Sequence, residues 1–189
     1  MQDPAAPGRT PLPPADPWTR DGALLHSAPP GLAAWLLDTG LLTDRIRMLS
    51  GAPHDLALVA ERTGCLSDEQ RALLEARDDR CFVREVELLA GRQPWVFAQT
   101  LVPERTLELQ PWLAGLGRTP LGAVLASIAG LERGPFEFAT LAPAHPLAAR
   151  ALRARPAAAD VLWARRSWFA LGGRRLLVQE LFLPELGRC

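Results

Sequence analysis

The stretch Val161–Pro184, "VLWARRSWFALGGRRLLVQELFLP", decides the fold. Gly172–Gly173 at its middle is a two-residue hairpin turn, because glycine takes the positive φ that both central positions need. Two antiparallel strands, 161–171 and 175–183, are therefore expected on either side. The second holds "LLVQELFLP", Leu176 to Pro184, apolar except for Gln179 and Glu180. Strand side chains alternate faces, so Leu176, Val178, Glu180 and Phe182 point one way and Leu177, Gln179, Leu181 and Leu183 the other. A carboxylate thus stands in an otherwise apolar row, where it must be paired, protonated or functional.

A second hairpin lies upstream in "CFVREVELLAGRQPWVFAQTLVP", with strand 81–90, a turn at Gly91–Pro94 and strand 95–102. One face of strand 81–90 carries Phe82, Arg84, Val86 and Leu88. The other carries Val83, Glu85, Glu87 and Leu89, the mixture expected of a partly solvated face. Arg84 is the counterpart of Glu180, a single charge of opposite sign in an apolar row. Either the two form a buried salt bridge, which adds little net stability, or they line a closed pocket for a small ligand bearing a carboxylate and a hydroxyl.

The remaining elements fit around these hairpins. "DLALVAERTG" predicts a strand from Leu56 to Thr63, and "PFEFATL" another over 135–141. Helices are expected over Leu32–Asp38, ended by Gly40, and over "DRIRMLS", ended by Gly51. Ser67 with Gln70 forms a capping box for a helix to about Ala76. Two more helical segments cover 105–116 and 120–129, with Pro120 at N1. Residues 143–160, rich in alanine and arginine, read as a surface insertion with a short helix. Residues 1–30 form a loose proline-rich arm, docked through Trp18 and Leu24–Leu25. Five or six hairpin-linked strands with helices between them predict one α+β domain over 31–189, on a roughly six-stranded antiparallel sheet with flanking helices.

Composition narrows the function. A chain of 189 residues, 48% hydrophobic and 22% charged, reads as one soluble globular domain. Zero net charge argues against nucleic acid or an anionic membrane surface as partner. All 21 basic residues are arginine, which excludes a Schiff-base lysine and a phosphate loop ending in Gly-Lys. Cys65, Cys81 and Cys189 show no metal or disulfide spacing and are expected to be inert thiols in a reducing cytoplasm. His26, His54 and His145 are scattered, so no metal site is expected. No apolar run approaches the ~20 residues of a membrane span, and the N-terminus lacks the pattern of a signal peptide.

In this order, "WLLDTGLLTDRIR" (35–47), "VREVELL" (83–89), "GRQPWVFAQTLVP" (91–103), "RTPLG" (118–122), "LWARRS" (162–167) and "LLVQELFLP" (176–184) resemble the chorismate pyruvate-lyase family over about four-fifths of the chain. The resemblance implies a single α+β domain around a six-stranded antiparallel sheet, with ligand held internally behind mobile flaps. It implies elimination of pyruvate from chorismate to give 4-hydroxybenzoate for ubiquinone, without cofactor or metal, by a cytoplasmic monomer. By the same resemblance Arg84 contacts the ligand carboxylate, Glu180 bonds the ring hydroxyl, and Leu42 and Leu121 contact ligand. The ring hydrogen passes either directly to the enolpyruvyl methylene or through Glu180. Arg165–Arg166 would assist with the second carboxylate, although strand alternation leaves at least one of them facing solvent. The chain departs from the family at Leu41, often Ser there, near Gln99, where a basic residue is common, and in the longer 143–160 segment. These departures bear on flap packing and pocket polarity. The alternative is a non-catalytic effector-sensing domain of the same fold. Such domains normally follow a winged-helix domain of ~70 residues, which thirty-odd proline-rich residues are too few to form.

Overall fold

The computed structural model describes residues 17–51, 54–155 and 159–188. Residues 1–16 of the proline-rich arm and Cys189 lie outside the described residues. Seven strands form one antiparallel sheet: β1 (His54–Cys65), β2 (Arg80–Ala90), β3 (Gln93–Pro103), β4 (Glu132–Arg133), β5 (Glu137–Leu141), β6 (Leu162–Leu171) and β7 (Arg174–Phe182). The spatial order is β1-β2-β3-β7-β6-β4, and β5 pairs with β6 beyond the short β4. The expected six strands become seven because Glu132–Arg133 pairs with Phe169 and Ala170 ahead of β5. Two residues carry no alternation to read.

Both expected hairpins are present. Gly172 and Gly173 take φ of 57° and 74°, and Leu171 faces Arg174 across them. The helices are α1 (Leu32–Leu36), α2 (Leu42–Ser50), α3 (Asp68–Leu74), α4 (Glu104–Leu109), α5 (Leu121–Ala126) and α6 (Pro146–Leu152). The Ser67–Gln70 capping box opens α3. The helix expected over 105–116 breaks at Pro111 into α4 and a 3-10 turn, since proline cannot donate to the preceding turn. Pro120 is the N-cap of α5 and not its N1 residue.

Register places two polar rows on opposite faces of the sheet. On the back face Glu85, Gln99, Gln179, Arg166 and Glu137 stand opposite one another across β2, β3, β7, β6 and β5. Gln99 donates to Glu85 at 2.9 Å, Gln179 donates to Gln99 at 3.0 Å, and Arg166 donates to Glu137 at 2.7 Å. This face is partly solvated only at Glu87 and Leu89, which are half-buried. Glu85 is fully buried, because α6 crosses it and Arg150 donates its Nε to both Glu85 oxygens at 3.1 Å. Arg166 is also buried, under Glu69 of α3 and the Trp18 ring 4.6 Å away, so the expectation of a solvent-facing arginine fails. Trp18 and the Thr19–Phe138 bridge fasten the described part of the arm.

Burial alone would raise the Glu85 carboxyl. Hydrogen bonds from Arg150 and Gln99, with the charges of Arg150 and Arg62, outweigh it and hold the group below 4.5. A depressed carboxyl stabilises the fold above its unfolded value and loses that contribution as pH falls through the folded value. Glu85→Gln is therefore expected to cost about 1 kcal/mol at neutral pH, kept small because Arg150 and Arg62 are partly exposed. Its denaturation midpoint should fall less steeply than the parent's below pH 4.5. Parallel acid limbs in the two proteins would contradict this.

Candidate functional site

The front face of the sheet carries the row that the sequence singled out. Arg84, Thr100, Val178 and Ser167 stand opposite one another, and one step along stand Val86, Ala98, Glu180 and Arg165. A cavity of about 250 Å³ lies over these rows, lined among others by Arg84, Thr100, Val178, Glu180, Arg165 and Arg133. Leu42 and Leu121 line it too, as the first residues of α2 and α5. All four site residues expected from the sequence are thus brought to one cavity.

Arg84 and Glu180 do not pair with each other. β3 runs between their strands, and with strands about 4.8 Å apart they stand roughly 10 Å from each other across the sheet. Arg84 is buried and donates from Nη2 to the carbonyls of Gly117 and Thr119 at 2.8 and 3.0 Å. These carbonyls belong to the loop entering α5, so the arginine ties that loop to the sheet. Its Nε is 3.8 Å from Glu61 and has no hydrogen-bond acceptor, which leaves one buried donor unsatisfied. Burial lowers the Arg84 pKa and Glu61 partly offsets the effect.

Glu180 pairs instead with Arg165, whose Nε donates to it at 2.6 Å. Arg165 is 1% exposed. Its Nη1 also donates to the carbonyls of Trp35, at 3.0 Å, and Leu36, at 3.3 Å, and to that of Asp38. Asp38 binds Arg45 at 2.9 Å. Burial would raise the Asp38 carboxyl, but the hydrogen bonds of Arg45 and Gly40 and the charges of Arg45 and Arg165 bring it below the usual value. Arg133 completes the polar lining. It donates to Ser167 Oγ at 3.0 Å and to the Thr39 carbonyl at 3.3 Å.

Residues 15–187 match the sequence profile of the family described as chorismate lyase. The chain belongs to the chorismate lyase family. It is 38% identical over 172 residues to a probable chorismate pyruvate-lyase of Cupriavidus pinatubonensis, covering 89% of each chain. A relative of the same description from Nitrosospira multiformis is 37% identical over 168 residues, covering 85% of this chain and 93% of its own. Among solved structures, the effector domain of PhnF from Mycobacterium smegmatis superposes with a TM-score of 0.56 at 17% identity, over 79% of this chain and 91% of that one. That likeness concerns the fold.

Two features of this chorismate lyase family member escaped the sequence reading. The partner of Glu180 was within reach of it: with Leu171 opposite Arg174, six steps away from the turn on each strand bring Arg165 opposite Glu180. Arg133 carried no such signal, because its strand is two residues long. Gln99, one of the departures, lies on the back face and does not line the cavity. The cations beside Glu85 are Arg150, within the longer 143–160 segment, and Arg62. Among the described residues no cluster of His, Cys, Asp and Glu could hold a metal, and no helix is long and apolar enough to cross a membrane. Burial pushes the Cys81 thiol up to about 11, with Cys65 adding to the effect, far from the range of a reactive thiolate.

The Arg165–Glu180 pair should be structural as well as polar lining. Arg165→Met removes one half of it, leaving a largely buried carboxylate without its cation and three carbonyls without the guanidinium. The expected cost is about 3 kcal/mol in urea denaturation. A loss under 1 kcal/mol would show that the pair does not hold α1 to the sheet.

Proposed function

We propose that the chain is a chorismate pyruvate-lyase, releasing pyruvate from chorismate and leaving 4-hydroxybenzoate for ubiquinone synthesis. One observation carries the reading: a single cavity offers a buried arginine with an unsatisfied Nε and, about two strands away, a carboxylate. A para-substituted ring with a carboxylate at one end and a hydroxyl at the other spans that arrangement. The ring carboxylate accepts from Arg84, satisfying the orphaned donor through a charge-assisted bond. The ring hydroxyl donates to Glu180, whose position Arg165 fixes. Leu42 and Leu121 close the apolar flanks.

In the reaction the ether C–O bond breaks, and its electrons form the carbonyl of pyruvate. The hydrogen on the hydroxyl-bearing carbon is transferred to the enolpyruvyl methylene, which becomes methyl, and its C–H pair completes the aromatic ring. Atoms and charge balance without an external oxidant or reductant. The protein's part is to hold the conformer in which the methylene reaches that hydrogen, and to keep water from the polar ends.

Purified protein supplied with chorismate should release 4-hydroxybenzoate, followed by its absorbance, and pyruvate in equal amounts, with or without a chelator. Binding of 4-hydroxybenzoate without turnover would favour a sensing role on the same fold, and neither binding nor turnover would defeat the reading. Arg84→Ala should weaken 4-hydroxybenzoate binding by about 2–4 kcal/mol. Arg84→Lys should also bind poorly, because a point charge lacks the planar fork. Affinity within twofold of the parent in Arg84→Ala would remove Arg84 as the anchor.

A further inference from the structure

We propose that Arg133 holds the second carboxylate of the substrate, the one on the enolpyruvyl side chain that leaves as pyruvate. The proposal rests on the lyase reading above and adds to it the residue that distinguishes substrate from product.

Charge pairing around the cavity singles Arg133 out. Arg84 has Glu61 at 3.8 Å, Arg165 has Glu180 at 2.6 Å, and Arg45 has Asp38 at 2.9 Å. Among the described residues Arg133 has no carboxylate within ion-pair distance. Its bonds go to two neutral acceptors, Ser167 Oγ through Nε and the Thr39 carbonyl through Nη1. Nη2 makes no hydrogen bond to any described residue. The guanidinium is nonetheless held in place, 4.1 Å from the Phe136 ring centre and 5.1 Å from that of Phe169. A cation kept between two rings, with a free donor edge in a cavity, lacks its anion. Burial lowers its pKa, with Glu180 and Arg165 among the charges that act on it, so it shares their surroundings.

Position fits the second carboxylate. In the sheet Ser167, the partner of Arg133 Nε, lies opposite Val178, in the same row as Arg84 and one step from Glu180. Arg84 therefore stands toward one side of the cavity and Arg133 toward the other, with Glu180 on the neighbouring row. The ether carbon of chorismate adjoins the hydroxyl-bearing carbon, so a hydroxyl at Glu180 places the enolpyruvyl group beside it. Arg165 is the rival for this role, and its hydrogen bonds to Glu180 and three carbonyls occupy it. Arg133 also touches the carbonyl of Thr39, in the segment entering α2, and the sheet at Ser167. A carboxylate bound to Nη2 would thus be held by a group fixed at both the rim and the floor.

Substrate carries two carboxylates and 4-hydroxybenzoate one, so the two ligands separate this role from a structural one. In Arg133→Gln the KM for chorismate should rise at least tenfold, while the dissociation constant for 4-hydroxybenzoate stays within threefold of the parent. Arg133→Lys, which keeps the charge, should recover part of the loss in KM, and it serves as the test if the glutamine variant does not fold. If both constants move together and the melting temperature falls, Arg133 is a brace between Thr39 and Ser167 and the proposal is overturned. An unchanged KM in a folded variant also overturns it. Absence of turnover in the parent protein would instead defeat the lyase reading itself.

Discussion

The ion pair between Arg165 and Glu180 is the constraint on which the front of the molecule depends. It joins two neighbouring strands at directly opposite positions, and Arg165 then reaches across to three carbonyls of the α1 region. One guanidinium thus fastens the segment before α2 to the sheet, and that segment with the start of α2 supplies Thr39 to Thr43 as cavity lining. Desolvation cancels much of the attraction in such a pair. Its worth here is geometric: it fixes where the carboxylate stands and where the helix begins. Arginine suits this because its planar fork serves several acceptors at once.

The two faces of the sheet use buried charge differently. On the back, Glu85 is enclosed by Arg150, Arg62 and Gln99, and Arg166 by Glu69 and Glu137, so cations and anions meet as partners. On the front, donors are left over. Among the described residues the Nε of Arg84 has no acceptor, and Arg133 has no carboxylate partner. Buried polar groups are ordinarily satisfied; Arg84 and Arg133 both line the cavity between α2, α5 and the sheet, while Arg45 Nε, Trp95 Nε1 and Glu185 Oε2 are further buried atoms without a partner among the described residues. Two arginines with open donors lining one cavity suit it to an anion.

Much of this was legible from strand periodicity. The alternation in 176–183 and 81–90 put Glu180 and Arg84 on one face each, and both line the cavity. The glycine pair at 172–173 fixed the last hairpin. Burial of Glu85 was not legible, because it depends on α6 crossing the sheet from a segment that reads as a surface insertion. Nor could alternation alone say whether Arg84 and Glu180 touch, since that depends on β7 pairing with β3 and leaving β3 between them. Local patterns fix faces, and tertiary pairing decides partners.

A crystal structure with 4-hydroxybenzoate bound tests the central claim most directly. The account predicts the ring in the cavity over β3 and β7, its carboxylate on Arg84 Nε and its hydroxyl on Glu180. A ring bound in the reverse sense, or in the separate groove beside Trp95 and Trp163, would contradict it.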